Sequence, residues 1–170
     1  MNQSKIALAA LMLQKVNHCD FNVRSFIDSL SLNEEDGYRY GDCRSLVMNA
    51  GQELRRVPGE LGGNPERYRA LESVEFELLI VDKGIKPHYH KHSDSVVLVW
   101  KDSRAQHEYL LKSKEDQITV WNQLHPGNVL FLPRGVIHGF RPGITNWLEP
   151  VVLFVASFPP IVDDVHEVDI

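Results

Sequence analysis

The sequence predicts an all-β domain with an N-terminal helical extension. Three observations carry that expectation. From Glu72 onward, apolar and β-branched residues come in short runs, and turns recur at the close intervals of a sandwich or barrel. Before about Val57, apolar residues recur instead at helical spacing. Within the β-rich half, one segment sets histidines at alternate positions, where a strand would aim them the same way. A chain of 170 residues has room for one domain with a real core, and an apolar fraction of 43% with moderate charge is a globular composition.

The elements follow in chain order. Ile6 to Leu13 is an apolar octet after a single lysine. Its length would suit the core of a signal peptide, but the charged start is weak and Gln14-Lys15 ends the run early. Ile6, Ala9/Ala10, Leu13 and Val16 keep helical spacing, so an amphipathic helix is expected. Asp20 is a candidate N-cap for a second helix marked by Val23, Phe26, Ile27 and Leu30. Asn33-Glu34-Glu35-Asp36-Gly37 reads as a turn, and Arg44 to Leu54 as a helix with a strand as the alternative. Pro58 to Pro65 is a loop by composition. Strands are then expected at Glu75–Val81, Ser95–Trp100, Gln106–Leu111, Ile118–Trp121, Val129–Leu132 and Val151–Val155, with a turn at Lys101-Asp102-Ser103. The organisation is an extension over 1–70, a barrel over 71–160 and a tail over 161–170.

Composition excludes several classes. The net charge is −5, and the densest basic pair is Arg55-Arg56, so there is no stripe to neutralise phosphates and no nucleic-acid partner is expected. No run is long enough to span a membrane as a helix. Cys19 and Cys43 form no CxxC, which points to two ordinary thiols and a reducing cytoplasm. Phosphate loops, G-x-S-x-G elbows and HExxH helices are lacking.

The chemistry concentrates in Pro87-His88-Tyr89-His90-Lys91-His92-Ser93-Asp94. On a strand, His88 and His90 point into one interior, and imidazole suits zinc, copper, iron and nickel. Two such donors need others from elsewhere in the chain. Asp94 is the nearest carboxylate, but across a turn parity does not say which way it faces. A distant donor is offered by Gly127 to His138, where a strand runs from a glycine turn to a Pro-x-Gly turn and restarts at His138.

This second segment matches the cupin signature G-x5-P-x-G-x2-H without a gap, at Gly127, Pro133, Gly135 and His138. The first segment resembles the other cupin signature, G-x5-H-x-H-x3-4-E-x6-G, through His88 and His90. It departs at the opening glycine, where Asp82 stands and Gly84 follows two residues later. It also lacks the closing glycine and the glutamate. With the shorter spacing the glutamate position holds Asp94, and with the longer one Ser95.

The resemblance covers roughly Glu72 to Phe158. It implies a double-stranded β-helix of jelly-roll type with one divalent transition metal inside: Fe, Mn, Ni, Zn or Cu. His88, His90 and His138 carry over as ligands. The fourth position is left to Asp94 or to water. His92 is expected at the mouth in solvent, and Tyr89 and Phe140 in the cavity lining or the core. Arg134 stands on the turn and reads as a solvated turn residue, with a cation that meets an anionic substrate at the mouth as the alternative. His125 reads as surface and His107 as structural, and nothing assigns a role to His18 or His166. The family includes dioxygenases, isomerases, epimerases and decarboxylases. It also includes non-catalytic modules that bind a small molecule as sensors, and the residues do not select among these. A homodimer and a small oxygenated substrate are the expected partners.

Overall fold

The structure is a computed structural model that describes residues 3–18, 23–54, 69, 71–101, 106–143 and 150–170. Cys19, the Asp20 cap, Arg55-Arg56, the Pro58 to Pro65 loop and Asp102-Ser103 lie outside the described residues.

Three helices come from the N-terminal part: α1 (Gln3–Val16), α2 (Val23–Ser29) and α3 (Arg44–Leu54). Between the last two lies a hairpin of β1 (Asn33–Glu35) and β2 (Tyr38–Asp42). The expected turn at 33–37 is therefore corrected: only Asp36-Gly37 turns, and the residues before it pair with β2. Nine further strands follow. They are β3 (Glu75–Val81), β4 (Ile85–Tyr89), β5 (Asp94–Val99), β6 (His107–Lys112), β7 (Trp121–Leu124), β8 (Val129–Leu132), β9 (Ile137–Arg141), β10 (Val151–Phe158) and β11 (His166–Glu167).

The strands form two antiparallel sheets. One has the order β1-β2-β3-β10-β5-β8, the other β11-β4-β9-β6-β7. Strand order interleaves near and far parts of the chain, which brings β4 beside β9 and so sets His88 opposite His138. The hairpin is locked onto the barrel by Gly37. Its carbonyl accepts from the amides of Asp82, Lys83 and Gly84, and its φ is 101°. A Cβ there would meet the Gly84 carbonyl oxygen at 2.5 Å, so only glycine fits.

Strand parity splits the six-stranded sheet into two faces. Phe76, Leu78, Ile80, Val96, Leu98, Phe154 and Ala156 face outward and pack against Ala9, Met12, Leu13 and Val16 of α1 and Leu46, Val47 and Ala50 of α3. Val81, Val97, Val99, Val151, Leu153 and Val155 face inward, toward Ile85, Leu124 and Phe140 of the other sheet. The layers are thus helices, sheet, interior, sheet. Because β5 is covered on both faces, all six of its residues are buried, which is why it reads as one continuous apolar run.

One strand is displaced from its expected place. The Ile118–Trp121 run is a strand only from Trp121, and β7 continues to Leu124. Ile118 is 76% exposed and Val120 is 55% exposed. Pairing with β6 sets this register, Leu110 opposite Trp121 and Glu108 opposite Gln123. The β-branched residues before it have no partner strand among the described residues.

Candidate metal centre

His88 stands near the end of β4, His90 directly after it, and His138 on β9. Their ring centroids are 4.4 Å apart for His88–His138, 5.0 Å for His88–His90 and 5.1 Å for His90–His138. One ligating nitrogen from each lies within 4.8 Å of the others, and all three residues are buried.

Each ring is held by a carbonyl at its Nδ1: Lys86 O at 2.8 Å for His88, Asp164 O at 2.7 Å for His90, and Val136 O at 3.0 Å for His138. A carbonyl oxygen only accepts, so each Nδ1 carries the proton. The Nε2 lone pairs are what remains. Burial lowers the pKa of all three imidazoles. For His138, burial and then the neighbouring His88 and His90 bring it down to about 3. The cluster is therefore neutral at pH 7, in the protonation state that metal binding requires.

The residues fit a metal ion by this chemistry. Bonds of about 2.0–2.1 Å allow two ligating nitrogens at most about 4.2 Å of separation. Seating an ion asks for side-chain movement of under about 1 Å from the present cluster. Orientation by Nδ1–H···O=C bonds is the usual support for metal-bound imidazole.

The Pro-x-Gly turn has a visible purpose. Gly135, at φ 80°, donates its amide to the carbonyl of His90 at 2.6 Å, joining the two histidine segments. A second brace comes from the C-terminal segment. The Asp164 carboxylate accepts from the amides of Lys91 at 2.9 Å and His92 at 2.8 Å, while its own carbonyl orients His90. Despite burial, those amide hydrogen bonds hold its carboxyl at about 2. His166 lies 3.3 Å from the same carboxylate and stacks on Tyr89, centroids 5.1 Å apart. Asp164 and His166 went unrecognised in the sequence, since nothing local marks a tail that folds back 74 residues in sequence from His90.

The structure does not bring Asp94 to the histidines. It is the first residue of β5 and shares the outward face with Val96 and Leu98. Its side chain is 2% exposed and gripped by Arg134, through Nη2 at 2.6 Å, Nε at 3.2 Å and the backbone amide at 2.8 Å. Burial pushes this carboxyl up, but hydrogen bonds and charge from Arg134 outweigh it and hold it low. Parity instead turns Ser95 inward, where its Oγ lies 2.8 Å from Ser157 Oγ. The longer spacing was thus the register that the strand adopts. Arg134 is half-exposed on its turn, paired with Asp94, and is not among the cavity-lining residues.

Tyr89 also turns outward, with the Lys114 ammonium 3.4 Å from its ring centroid and His166 stacked on it. Phe140 does line the cavity, and His92 is exposed, as expected. Cys43 is buried in the helix-side core and burial pushes its thiol up, so it offers no nucleophile.

The three imidazoles open into a cavity of about 720 Å³. Leu79, Ile85, Val97, Leu132 and Val155 supply its aliphatic wall. Tyr38, Tyr40 and Glu77 supply polar groups that sequence reading missed. Their signal was present: Tyr38 and Tyr40, like Glu75 and Glu77, sit two apart on strands, and a buried-strand pattern interrupted by carboxylates marks a cavity face. Burial, then Glu75 and Asp42, push Glu77 up to about 7.

Solved structures with the same architecture supply the comparison. CapF, a capsular polysaccharide assembling protein from Staphylococcus aureus, superposes with a TM-score of 0.54 at 13% identity, over 83% of this chain and 34% of its own. Oxalate decarboxylase of Bacillus subtilis gives 0.51 at 10% identity, over 83% of this chain and 31% of its own. The chain has the cupin fold. A third match, Peruvianin-I, a cysteine peptidase from Thevetia peruviana latex, gives 0.51 at 13% identity, over 84% of this chain and 75% of its own. The chain spans about a third of the length of CapF and oxalate decarboxylase. The sequence matches no family model and no curated protein. At these identities the likeness establishes the fold, and fold alone does not name a reaction.

Among the described residues, His88, His90 and His138 form the one group of three or more ligand-type side chains close enough to hold a metal. No helix among them is long and apolar enough to cross a membrane.

Proposed function

We propose that the chain is a metal-dependent cupin enzyme, with His88, His90 and His138 holding one divalent transition metal and a small oxygenated molecule as substrate. The observation that carries this reading is the trio of Nδ1–H···O=C bonds, which leaves three neutral imidazoles with their Nε2 lone pairs free. In that shared tautomer all three imidazoles keep an unprotonated nitrogen, the form in which imidazole ligates a metal. When bound, the metal supplies a Lewis acid that polarises an oxygen of the substrate.

The chain's own groups do the rest. The aliphatic wall excludes water from the bound molecule, which strengthens every polar contact made there. Glu77, raised to about 7, can hold or release a proton at pH 7 from its carboxyl on the cavity wall. Ser95 takes the place of a charged fourth ligand, so the protein supplies three nitrogens and leaves the remaining positions to water or substrate. Open positions on a mostly imidazole site support oxidoreductase chemistry of the dioxygenase type, or isomerase chemistry. The wider setting proposed is a homodimer in the cytoplasm. The exposed Val162, Val165 and Ile170 of the C-terminal segment support self-association, and the acidic charge disfavours nucleic acid.

Elemental analysis tests the reading. Untagged protein from cultures supplied separately with each metal should carry about one equivalent of one of them. Turnover of oxygenated substrates by that form, and its loss on chelation, supports the enzyme. Metal below about a tenth of an equivalent in every culture contradicts the reading.

A further inference from the structure

The cavity has a sign as well as a shape. Five carboxylates line it, Glu35 and Asp36 from the hairpin, Glu77 from β3, and Asp163 and Glu167 from the C-terminal segment. Lys86 is the single ammonium or guanidinium among the described lining residues, and it stands 3.6 Å from Glu167. That pair is largely in solvent, so Lys86 does little to neutralise the rest.

The carboxylates converge on an aromatic surface. Tyr38 and Tyr40 face the cavity from β2 with ring centroids 6.1 Å apart. Tyr38 is held above the usual phenol range by burial, then by Glu35, Tyr40, Glu77 and Glu167. Carboxylates from three separate strands thus act on one phenol at the cavity wall. The same cavity is lined by His138, 3% exposed, whose Nδ1 is bonded to Val136 O and whose Nε2 has no hydrogen-bond partner among the described residues. A wall of one charge focuses field into a low-dielectric cleft and selects for the opposite sign.

We infer that the site takes a small organic cation, an amine whose ammonium group lies among the mouth carboxylates and the Tyr38 and Tyr40 rings while its carbon skeleton covers the aliphatic wall. Aromatic faces with flanking carboxylates are the recurring solution for ammonium groups. An anionic substrate of the oxalate kind would pass four or five like charges with no guanidinium among the described lining residues to receive it, since Arg134 is committed to Asp94 on the other face. The inference rests on the reading of this cavity as the working site, and its test separates the two.

Two probes of matched size and opposite charge, 2-phenylethylammonium and 3-phenylpropionate, are titrated calorimetrically into the full chain at pH 7. Each is run against metal-free and zinc-loaded protein. The metal-free arm reads the cavity's own charge, because a carboxylate can ligate zinc directly. The amine should bind metal-free protein at least about tenfold tighter than the carboxylate. A Glu35→Gln/Glu167→Gln double variant, altered only at exposed positions, should lose most of that preference with an unchanged circular dichroism spectrum. The inference is overturned if the carboxylate binds as tightly, if the double variant keeps the preference, or if the amine fails to bind at roughly 10 mM. Zinc content measured on the same samples keeps the outcomes apart. Protein that prefers the amine but takes up none of the separately supplied metals defeats the metal proposal alone, and protein that loads a metal but when metal-free prefers the carboxylate defeats this inference alone.

Discussion

The two faces of the six-stranded sheet are made by the same strands and do opposite work. The outward face is apolar: Phe76, Leu78, Val96, Leu98 and Phe154 pack with residues of α1 and α3 in one core cluster. The inward face carries Tyr40, Glu77, Ser95 and Val155 toward open volume and three imidazoles. Neighbours in sequence are separated completely by this division. Asp94 braces a turn on one side, while Ser95 meets the site on the other. For this molecule, parity along a strand is the variable that sorts stability from chemistry.

The comparison is broken most strongly from the apolar side. Phe154 is fully buried between the helices and the sheet, with its ring 5.9 Å from Trp100. Phe154→Ala should cost about 3–5 kcal/mol of unfolding free energy, read from denaturant midpoints. Where the variant remains folded, it should still bind metal. Loss of metal from folded Phe154→Ala protein would show that the two faces are not independent.

A smaller effect sharpens the wet side. Glu77 has a folded pKa of about 7 against an ordinary 4.5. Between those values the folded chain keeps a proton that the unfolded chain has lost, so stability falls as pH rises through this window. Glu77→Gln keeps the protonated shape and removes the penalty. It should match wild type below pH 4.5 and exceed it above pH 7 by about 1–2 kcal/mol, after allowance for partial solvent screening. Equal stability of the two proteins at pH 8 would place the Glu77 carboxylate in water rather than on the cavity wall.

Much of this was legible in the chain. The strand runs of β3, β5, β8 and β10 could be read because each is covered on one or both faces, and burial writes itself into sequence as apolar pattern. His88, His90 and His138 were legible through spacing, since alternate positions and a Pro-x-Gly turn are local geometry. What failed was non-local. The start of β7 depended on its register against β6, and β1 depended on a hairpin that exists to dock on β3. The face of Asp94 could not be read from spacing, because the turn after His92 breaks the count and a one-residue slip reverses every side chain. Asp164 could not be found at all, because its value lies in where the tail returns.

The most direct measurement compares metal content in two variants purified alongside wild type, His138→Ala and Asp94→Asn. Wild type should hold about one equivalent, Asp94→Asn should hold nearly as much at some loss of thermal stability, and folded His138→Ala should hold less than about a tenth. Equal depletion in both variants would contradict the account, since it would put the Asp94 carboxylate on the ion and the two faces of β5 in a single site.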